Sequence, residues 1–554
     1  MPHDFLKKSL TLLLRSQTNI LSAALIIMAT IVLSQVLGLV KQRLLVSIFG
    51  ASNTLGIYLT SSRLPDLLFQ LIIAGALASS FIPVFSSYLA KGKTQEAHRM
   101  ASSLLAIGVS IFSLFSLVLF IWTPFFLRIF NLGSGFSNGE MQLMANLTRI
   151  IIFGQLLFII GTFFSALLQS YNHFFIPGIA AALYNLGIII GIVSLSSIAG
   201  IFAPAYGIFF GALLFILVQL PMIKKIGFSF KPTFSFNVPG VLAVLRLMWP
   251  RTLSMAIFQL GTIATVTIVS FLPSPGRNYV IFDYAQTLAF APIVLFGQSI
   301  AQAAFPILSR EKDKLDNFKA TFVTSLNQIL YLILPVSVLF LVLRIPIVRL
   351  VFGAAQFDWQ ATVLTGRTLA FFSISIFAQA LIYLVARGFY ALHDTKTPLY
   401  IGAITTMIML GLGFLFIFFS HLGIESMAAA YSIATIINLL ILLVFLDRKI
   451  GGFKKTTLII PIFKIFIATF FTGFALYIPI KLLDQLVFDT TRTINLIMLT
   501  GISTLAGLSL YLFLTWLFNV KEATTFLLIF KKIGNWREIL GKSEEAIEGT
   551  RFNP

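Results

Sequence analysis

Long apolar segments recur along almost the whole chain, with short polar stretches between them. The first segment, from Ile20 to Val40, has 21 residues, enough for a helix to cross the hydrocarbon core of a bilayer. The pattern predicts an all-α polytopic membrane protein with about 14 transmembrane helices. The predicted spans are 20–40, 55–89, 101–127, 143–168, 175–199, 203–222, 248–272, 279–309, 320–343, 361–386, 398–420, 425–446, 459–482 and 494–519.

The second and eighth spans are too long for one straight helix, and each contains internal proline and glycine. In the second span these are Pro65, Gly75 and Pro83. Charged side chains inside a bilayer cost about 2.5–3.5 kcal/mol each on insertion scales, so they are kept only where they pair, reach the interface or face water. Six polar residues nevertheless lie between Ser34 and Ser86, in the first span or just after it and in the broken second span, which predicts a water-filled cavity for a polar solute. They are Gln35, Lys41, Arg43, Arg63, Asp66 and Gln70.

The composition excludes several classes of function. Of 554 residues, 58% are hydrophobic and 10% are charged, which no soluble domain of this size shows. The absence of cysteine excludes disulfides and thiolate catalysis, and the five histidines have no metal-ligand spacing. The sequence has no phosphate-binding loop, so we predict a transporter rather than an enzyme, without a cofactor. An ion gradient or the membrane potential would drive it, and the sequence does not identify the ion.

The distribution of lysine and arginine predicts the topology. If the N-terminus is inside, 26 of the 39 basic residues lie in cytoplasmic segments, the usual bias of membrane proteins. Both termini are therefore predicted to be cytoplasmic, with segment 4–17 as a basic amphipathic helix and Phe526–Trp536 as an interfacial anchor. The net charge of +20 then reflects topology and contact with anionic lipid, whereas nucleic-acid binding would need a soluble basic domain that the chain lacks.

Two short motifs occur twice, at nearly the same offset along the chain. Phe81–Ser86 is echoed by Ala304–Ser309, and Tyr171–His173 is echoed by Leu392–Asp394. The shared offset predicts two six-span lobes in the same orientation, although a helix-ending proline used twice is the alternative. The predicted domains are a basic segment 1–19, an N-lobe 20–226 (spans 1–6), a cytoplasmic linker 227–247, a C-lobe 248–450 (spans 7–12), spans 13 and 14 in 451–519, and an amphipathic tail 520–554.

Several stretches resemble the MurJ (MviN) lipid II flippases of the multidrug/oligosaccharidyl-lipid/polysaccharide exporter superfamily. They are Ser34–Arg43, Ile48–Ala51, Arg63–Leu68, Gly75–Leu77, Ser80–Pro83, Ser170–Asn172 with Pro177, Tyr284-Ala285 with Pro292, and, most specifically, Gly388–Pro398. The resemblance implies a fourteen-helix protein of the bacterial cytoplasmic membrane. It would move a polyprenyl-pyrophosphate-linked peptidoglycan precursor to the outer face by alternating access between two lobes, and we expect it to act as a monomer.

The chain departs from the family pattern at several positions. Gln35 stands where the family has arginine, and Lys41-Gln42 stands where it has arginine followed by an acid. In the eighth span, Gln286-Thr287 replaces the usual Asp-Arg. Much of the arginine set that would meet a pyrophosphate is therefore missing, and Lys41 keeps one charge without the bidentate fork of an arginine.

The candidate substrate-binding residues are Lys41, Arg63, Arg251, Gln35, Asp66 and Thr287. Arg251 follows Trp249-Pro250 at the predicted start of span 7, where a helix N-terminus favours anions. Several have a structural alternative: Lys41 and Arg251 could reach the interface, and Arg63 and Asp66, three residues apart, could pair with each other. Asp283, near the start of span 8, is predicted to lie at a hydrated helix end.

Two other functions stay open on the sequence. One is a flippase for another polyprenyl-linked saccharide, which would share the architecture and differ in its cavity contacts. The other is a non-transporting membrane scaffold that has kept the fold and lost the site, which the missing arginines permit. Neutralising the cavity cations would leave a scaffold unaffected and would abolish transport.

Overall fold

The computed structural model describes residues 20–74, 80–130, 132, 135–235, 237–354, 356–486 and 492–524. Nearly all of these residues are helical, and there is no strand among them. The predictions made for segment 4–17, for Gly75 and for Phe526–Trp536 lie outside the described residues.

The helices follow one another with short connections. They are α1 Ile20–Phe49, α2 Asn53–Ser61, α3 Arg63–Phe69, α4 Ile82–Ala90, α5 Thr94–Ile121, α6 Thr123–Ile129, α7 Asn138–Ser170, α8 Phe175–Ala199, α9 Ala203–Leu217, α10 Leu220–Lys225, α11 Val241–Val269, α12 Pro275–Pro292, α13 Ser299–Arg310, α14 Leu315–Val342, α15 Arg344–Phe352, α16 Trp359–Ala391, α17 Lys396–Phe414, α18 Glu425–Lys449, α19 Lys455–Leu486 and α20 Thr493–Leu517. Gly200–Phe202 is a 3₁₀ turn, and the π-helical turns are Gln70–Ala74, Ile293–Gln298 and Leu415–Phe419.

Eleven stretches of described helix are long and apolar enough to cross a membrane. One of them, Phe175–Lys225, contains both α8 and α9, which brings the number of spans to twelve. Helix α11 and the segmented stretch from Asn53 to Ala90 are the two further spans that the sequence predicts. The multi-pass helical class is thus confirmed, and the helix order is consistent with fourteen spans.

The two long spans are broken, as their prolines and glycines predict. In the second span, α2 ends at Ser61, α3 follows at once, and the π turn Gln70–Ala74 comes after α3. In the eighth span, the π turn Ile293–Gln298 separates α12 from α13. A π turn widens the helix and releases backbone groups from regular pairing, a feature often found at functional sites.

The order and length of the helices repeat along the chain at the offset that relates the short motifs. Helices α5 and α14 both have 28 residues, and α7 and α16 both have 33. The π turns that begin at Gln70 and Ile293 are related by nearly the same offset. So are Asn172 and His393, which both adopt left-handed backbone conformations, with φ of 61° and 59°. These matches extend the internal repeat from two short motifs to the element order of both sets of six spans.

The chain divides into two compact units. The first consists of residues 1–284, 351–365 and 406–430, and the second of 285–350, 366–405 and 431–554. The first unit contains the whole of the predicted N-lobe, residues 20–226. The boundaries of the two lobes stay a prediction.

Within the first unit, α8 and α9 pack closely because glycines face one another. A Cβ atom on Gly187 would lie 2.4 Å from the Cα atom of Gly211, and one on Gly191 would lie 2.4 Å from that of Gly207. Each helix thus presents two glycines four residues apart, the spacing of small residues that lets membrane helices approach closely. This packing fixes α8, which carries part of the candidate site.

Within the second unit, Lys464 on α19 donates from Nζ to the carbonyl oxygen of Phe518, at 2.7 Å. Phe518 follows the last residue of α20, so the ammonium group satisfies a carbonyl at a helix C-terminus, where positive charge is favourable. Lys464 therefore connects α19 with the end of α20.

Candidate substrate site

Six polar side chains from five helices of the first unit lie in the membrane-spanning region. We call this set the polar belt, and it consists of Lys41, Arg63, Asp66, Gln155, Asn185 and Asp283. Two of its members are cations, two are acids and two are amides. The belt contains three hydrogen-bonded pairs, and each pair connects different helices.

Lys41 is held by Asn185. Its Nζ atom donates to Oδ1 of Asn185 on α8, at 3.1 Å. The Nδ2 atom of the same amide donates to both the carbonyl oxygen and the hydroxyl of Ser34, at 3.2 Å each. Ser34 and Lys41 are seven residues apart on α1, about two helical turns, so they share a face. The Lys41 side chain is thus oriented by a contact across helices, from α1 to α8.

Arg63 pairs with Asp283. Its Nη2 atom lies 2.6 Å from Oδ1 of Asp283 on α12, and the two side chains are 23% and 17% exposed. The guanidinium carbon also lies 5.3 Å from the ring centroid of Tyr279, within the range of a cation–π interaction. Two expectations are corrected: Arg63 does not pair with Asp66 on its own helix turn, and Asp283 is not at a hydrated helix end.

The pair leaves Arg63 with unused donors. Its Nε atom is buried and has no acceptor among the described residues. A guanidinium carries five N–H donors, and only Nη2 meets the carboxylate within hydrogen-bond distance. Arg63 can therefore bind a further oxygen atom while it remains next to Asp283.

Asp66 is bound by an amide instead of a cation. Its Oδ1 atom accepts from Nε2 of Gln155 on α7, at 2.8 Å. No basic nitrogen of the described residues lies within ion-pair distance of this carboxylate. The belt thus contains one ion pair, one lysine held by an amide and one carboxylate held by an amide.

The remaining predicted residues have different positions. Helix α11 begins at Val241, so Arg251 lies within the helix and the helix start predicted beside it is wrong, whereas substrate binding by Arg251 stays a prediction. Gln35, one residue after Ser34 on α1, is exposed. Thr287 is partly buried and belongs to the second unit. No role is tested for these three by the geometry.

Asn185 and Gln155 are the members of the belt that sequence reasoning missed. Asn185 is the single amide of α8, and Gln155 is one of several amides of α7, so each has the pattern of an ordinary packing residue. The only signal in the sequence was a small residue near each amide. Asn185 lies one helix turn after Ala181 in a glycine-containing span, and Gln155 follows Gly154. Their partners are 144 and 89 residues away along the chain, so no local pattern could identify them.

Helices α2 and α12 of the same unit meet through glycines. A Cβ atom on Gly56 would lie 2.2 Å from the backbone of Gly276, and Oδ1 of Asn53 accepts from the Gly276 amide at 3.0 Å. Beside them, Arg277 binds both oxygens of Asp358 at 2.9 Å. Burial opposes ionisation of Asp358, but the Ala361 amide and Arg277 hold the pKa of this carboxyl below its usual value.

The most specific motif of the sequence, Gly388–Pro398, proves to be structural. Asp394 accepts from the backbone amides of Lys396 and Thr397, which open α17, and Lys449 donates to it at 2.6 Å. Burial opposes ionisation of Asp394, yet Lys449 and Thr397 lower its pKa to about 2. The motif therefore starts a helix and ties it to the end of α18.

The belt can bind an anion by charge and hydrogen bonding, and no chemistry beyond binding follows from its residues. Among the described residues, no three metal-binding side chains cluster.

Comparison with known proteins gives a consistent result. The model of one protein family, described as "Lipid II flippase MurJ", matches residues 45–496. The chain is 27% identical over 502 residues to a probable lipid II flippase MurJ of Buchnera aphidicola subsp. Schizaphis graminum, covering 88% of this chain and 96% of that protein. It is 28% identical over 449 residues to the lipid II flippase MurJ of Burkholderia cenocepacia, covering 78% and 84%.

Solved structures show the same fold. A structure of lipid II flippase MurJ in an inward closed conformation matches with a TM-score of 0.70 at 24% identity, covering 88% of this chain and 98% of that one. An inward-facing multidrug resistance transporter of the MATE family matches with a TM-score of 0.65 at 12% identity, covering 76% and 96%. At these identities the likeness concerns the fold alone.

Proposed function

Because the chain belongs to the lipid II flippase MurJ family, we propose that it carries lipid II, the lipid-linked peptidoglycan precursor, across the bacterial cytoplasmic membrane for cell-wall synthesis. The observation that carries the proposal is the family match over residues 45–496, together with partly buried cations in the membrane-spanning region. The chain is a transporter of a multi-pass membrane family, and the proposal concerns its substrate, its site and its orientation.

We assign the contact with the pyrophosphate to Lys41 and Arg63. A pyrophosphate loses hydration when it enters a protein interior, and fixed cations offset that loss; a hydrogen bond to a charged group contributes about 1.5–3 kcal/mol. Asn185 fixes the ammonium of Lys41, and Arg63 has a buried Nε donor without an acceptor among the described residues. Both side chains are thus prepared to receive oxygen atoms of the substrate.

Transport is proposed to proceed by alternating access between the two six-helix lobes, each of which contains one broken span. A proline-broken helix with a π turn can change its bend without losing a regular ladder of hydrogen bonds. The membrane potential is a suitable energy source for moving charged groups, since one charge crossing 100 mV corresponds to about 2.3 kcal/mol.

The proposed orientation has both termini in the cytoplasm, with anionic lipids contacting the basic cytoplasmic segments. The protein is proposed to act as a monomer and without nucleic acid. The excess of lysine and arginine on one side of the predicted spans supports this orientation.

The experiment that tests the function is rescue of a bacterial cell depleted of its own lipid II flippase. The parent chain should restore growth, and Lys41→Ala and Arg63→Ala should fail although they reach the membrane at the parent's level. Lys91→Ala, which removes a charge from an exposed turn outside the polar belt, is the matched control and should rescue. If the parent fails to rescue when it is present in the membrane, lipid II is not its substrate.

The second candidate function is transport of another polyprenyl-linked saccharide. The residues that favour it are those that differ from the usual family pattern, Gln35, Gln42 and Thr287, because they change the contacts offered to a substrate. Rescue of a mutant that lacks a different polyprenyl-lipid flippase, without rescue of lipid II transport, would favour this candidate.

A further inference from the structure

Asp66 and Gln155 form an incomplete pair in the membrane-spanning region. Nε2 of Gln155 donates to Oδ1 of Asp66 at 2.8 Å. The other end of the amide, Oε1 of Gln155, is buried and has no hydrogen-bond partner among the described residues, although the residue is only 6% exposed. Leaving a buried acceptor without a donor is unfavourable, because the atom has lost its hydrogen bond to water. Oε1 of Gln155 therefore lacks a hydrogen-bond donor, and the same side chain is bound to the carboxylate of Asp66.

A single proton supplies that donor. A protonated carboxyl group has one O–H donor and still accepts through its other oxygen. With the proton on Oδ2, Asp66 can keep the bond from Nε2 at Oδ1 and donate to Oε1 of Gln155. The carboxyl and the amide then form two parallel hydrogen bonds, and no buried polar atom of the pair stays unsatisfied.

The charged groups around Asp66 determine how its protonation changes the net charge of the polar belt. The charged groups that act on Asp66 are Arg63, Lys41 and Asp283. Three tyrosines, Tyr58, Tyr184 and Tyr279, lie close enough to Asp66 to interact with its charge. The four charged members of the belt carry two positive and two negative charges, so their sum is zero while Asp66 is ionised. Protonation of Asp66 gives them a net charge of +1.

We propose that Asp66 and Gln155 form a proton-binding site, and that uptake of one proton there promotes binding of the substrate's phosphate groups at Lys41 and Arg63. In this step an O–H bond forms at Oδ2 with a proton from water, and the proton returns to water when the anion leaves. By linkage, the proton strengthens anion binding by the same factor as the anion strengthens proton binding. The inference rests on the proposed function for the identity of the anion, but the proton site itself does not.

The proton site is tested on the purified full-length protein by infrared spectroscopy as a function of pH. We expect a carboxylic acid C=O band that appears on acidification and is missing in Asp66→Asn. In Gln155→Met, which removes both ends of the amide, the band should move to a higher frequency because the carboxyl loses its hydrogen bonds. Asp394→Asn is the matched control, since this carboxylate lies outside the spans and has a pKa of about 2, and it should leave the band unchanged.

The linkage is tested by calorimetric titration of the same protein with inorganic pyrophosphate in buffers of different ionisation enthalpy. The parent should take up about one proton more per bound pyrophosphate than Asp66→Asn, which also corrects for protonation of the probe itself. Equal proton uptake by the two proteins, a pH-dependent band that survives in Asp66→Asn, or a band unaffected by Gln155→Met would overturn the proposal. If the parent rescues the depleted cell but shows no carboxylic acid band from Asp66, the proton site is rejected and lipid II transport is not. If the band is present but the parent fails to rescue, lipid II transport is rejected and the proton site is not.

Discussion

At the scale of single residues, most charged side chains of the polar belt already form an ion pair or a hydrogen bond within the protein. Asp283 neutralises Arg63, and Asn185 holds Lys41. A substrate anion must therefore share Arg63 with a carboxylate, whereas it can reach Lys41 by competing only with a neutral amide. Lys41 is accordingly the stronger candidate for the first contact with a phosphate group.

The Arg63–Asp283 pair should contribute measurably to stability. Its side chains are 23% and 17% exposed, so removing one partner leaves a charge that is poorly hydrated. In a double-mutant cycle with Arg63→Gln and Asp283→Asn, we expect a coupling free energy of about 1–3 kcal/mol, measured by unfolding of the detergent-solubilised protein.

The control for this cycle is the exposed pair Lys93–Glu96, at 51% and 40% exposure. Its coupling free energy should be close to zero, because exposed pairs contribute about 0–1 kcal/mol. Additive effects of the two substitutions at Arg63 and Asp283 would show that the pair is not formed in the membrane protein.

Much of the belt could be predicted from sequence, because charges in apolar segments are rare and costly. That argument selects Lys41, Arg63 and Asp66 directly. It cannot choose their partners: Asp283 is 220 residues from Arg63, and the nearer Asp66 was the only local alternative. It also overlooks amides such as Asn185, since one amide in an apolar helix has no pattern of its own.

At the scale of elements, the repeat and the broken spans followed from proline, glycine and spacing. The start of the seventh span did not follow as well, because Arg246, Pro250 and Arg251 interrupt an otherwise apolar stretch that begins at Val241. Helix α11 begins at Val241, whereas the predicted span begins at Met248, and this difference places Arg251 inside the helix.

The glycines between α8 and α9 should be required for packing of the first unit. A valine at Gly191 would place its Cβ atom 2.4 Å from the Cα atom of Gly207, a contact that backbone atoms can relieve only by separating the helices. We expect Gly191→Val to lower the yield of folded protein and its melting temperature. Gly411→Val, at a position with no atom within 4 Å of the added Cβ, should behave nearly as the parent, and equal losses in both variants would contradict this account.

The start of α17 should depend on the charge of Asp394. Its folded-state pKa of about 2 lies below the unfolded value of about 3.9, so the ionised form stabilises the fold. We expect Asp394→Asn to lose about 1 kcal/mol at neutral pH, as exposed ion pairs and helix caps contribute amounts of this order.

The sign of the pH dependence provides a second check on Asp394. The stabilisation is complete above about pH 4 and declines as the pH falls toward the folded pKa of about 2, so the difference between parent and Asp394→Asn should shrink on acidification. A difference in unfolding free energy that stays constant, or grows, as the pH falls would contradict the ion pair with Lys449.

At the scale of the whole molecule, the proposed orientation follows from fourteen spans and the bias of basic residues. Reporter fusions after Lys93 and after Lys455 should report the cytoplasm, and a fusion after Arg277 should report the outside. These signals are expected because the basic residues are concentrated on one side of the predicted spans and because an even number of spans places both termini on that side. An outside signal after Lys93 would require a different number of spans before that residue.

The measurement that tests the central claim most directly is translocation of labelled lipid II in cells whose only lipid II flippase is this chain. A hydrolase that cannot cross the membrane, added outside, cleaves the lipid II that has reached the outer face. We expect cleavage with the parent and with Lys41→Arg, which keeps the charge, and about a tenfold or greater loss with Lys41→Ala, since about 1.4 kcal/mol corresponds to a factor of ten. Cleavage by Lys41→Ala at the parent's rate, with equal amounts in the membrane, would contradict the assignment of Lys41 to the substrate's pyrophosphate.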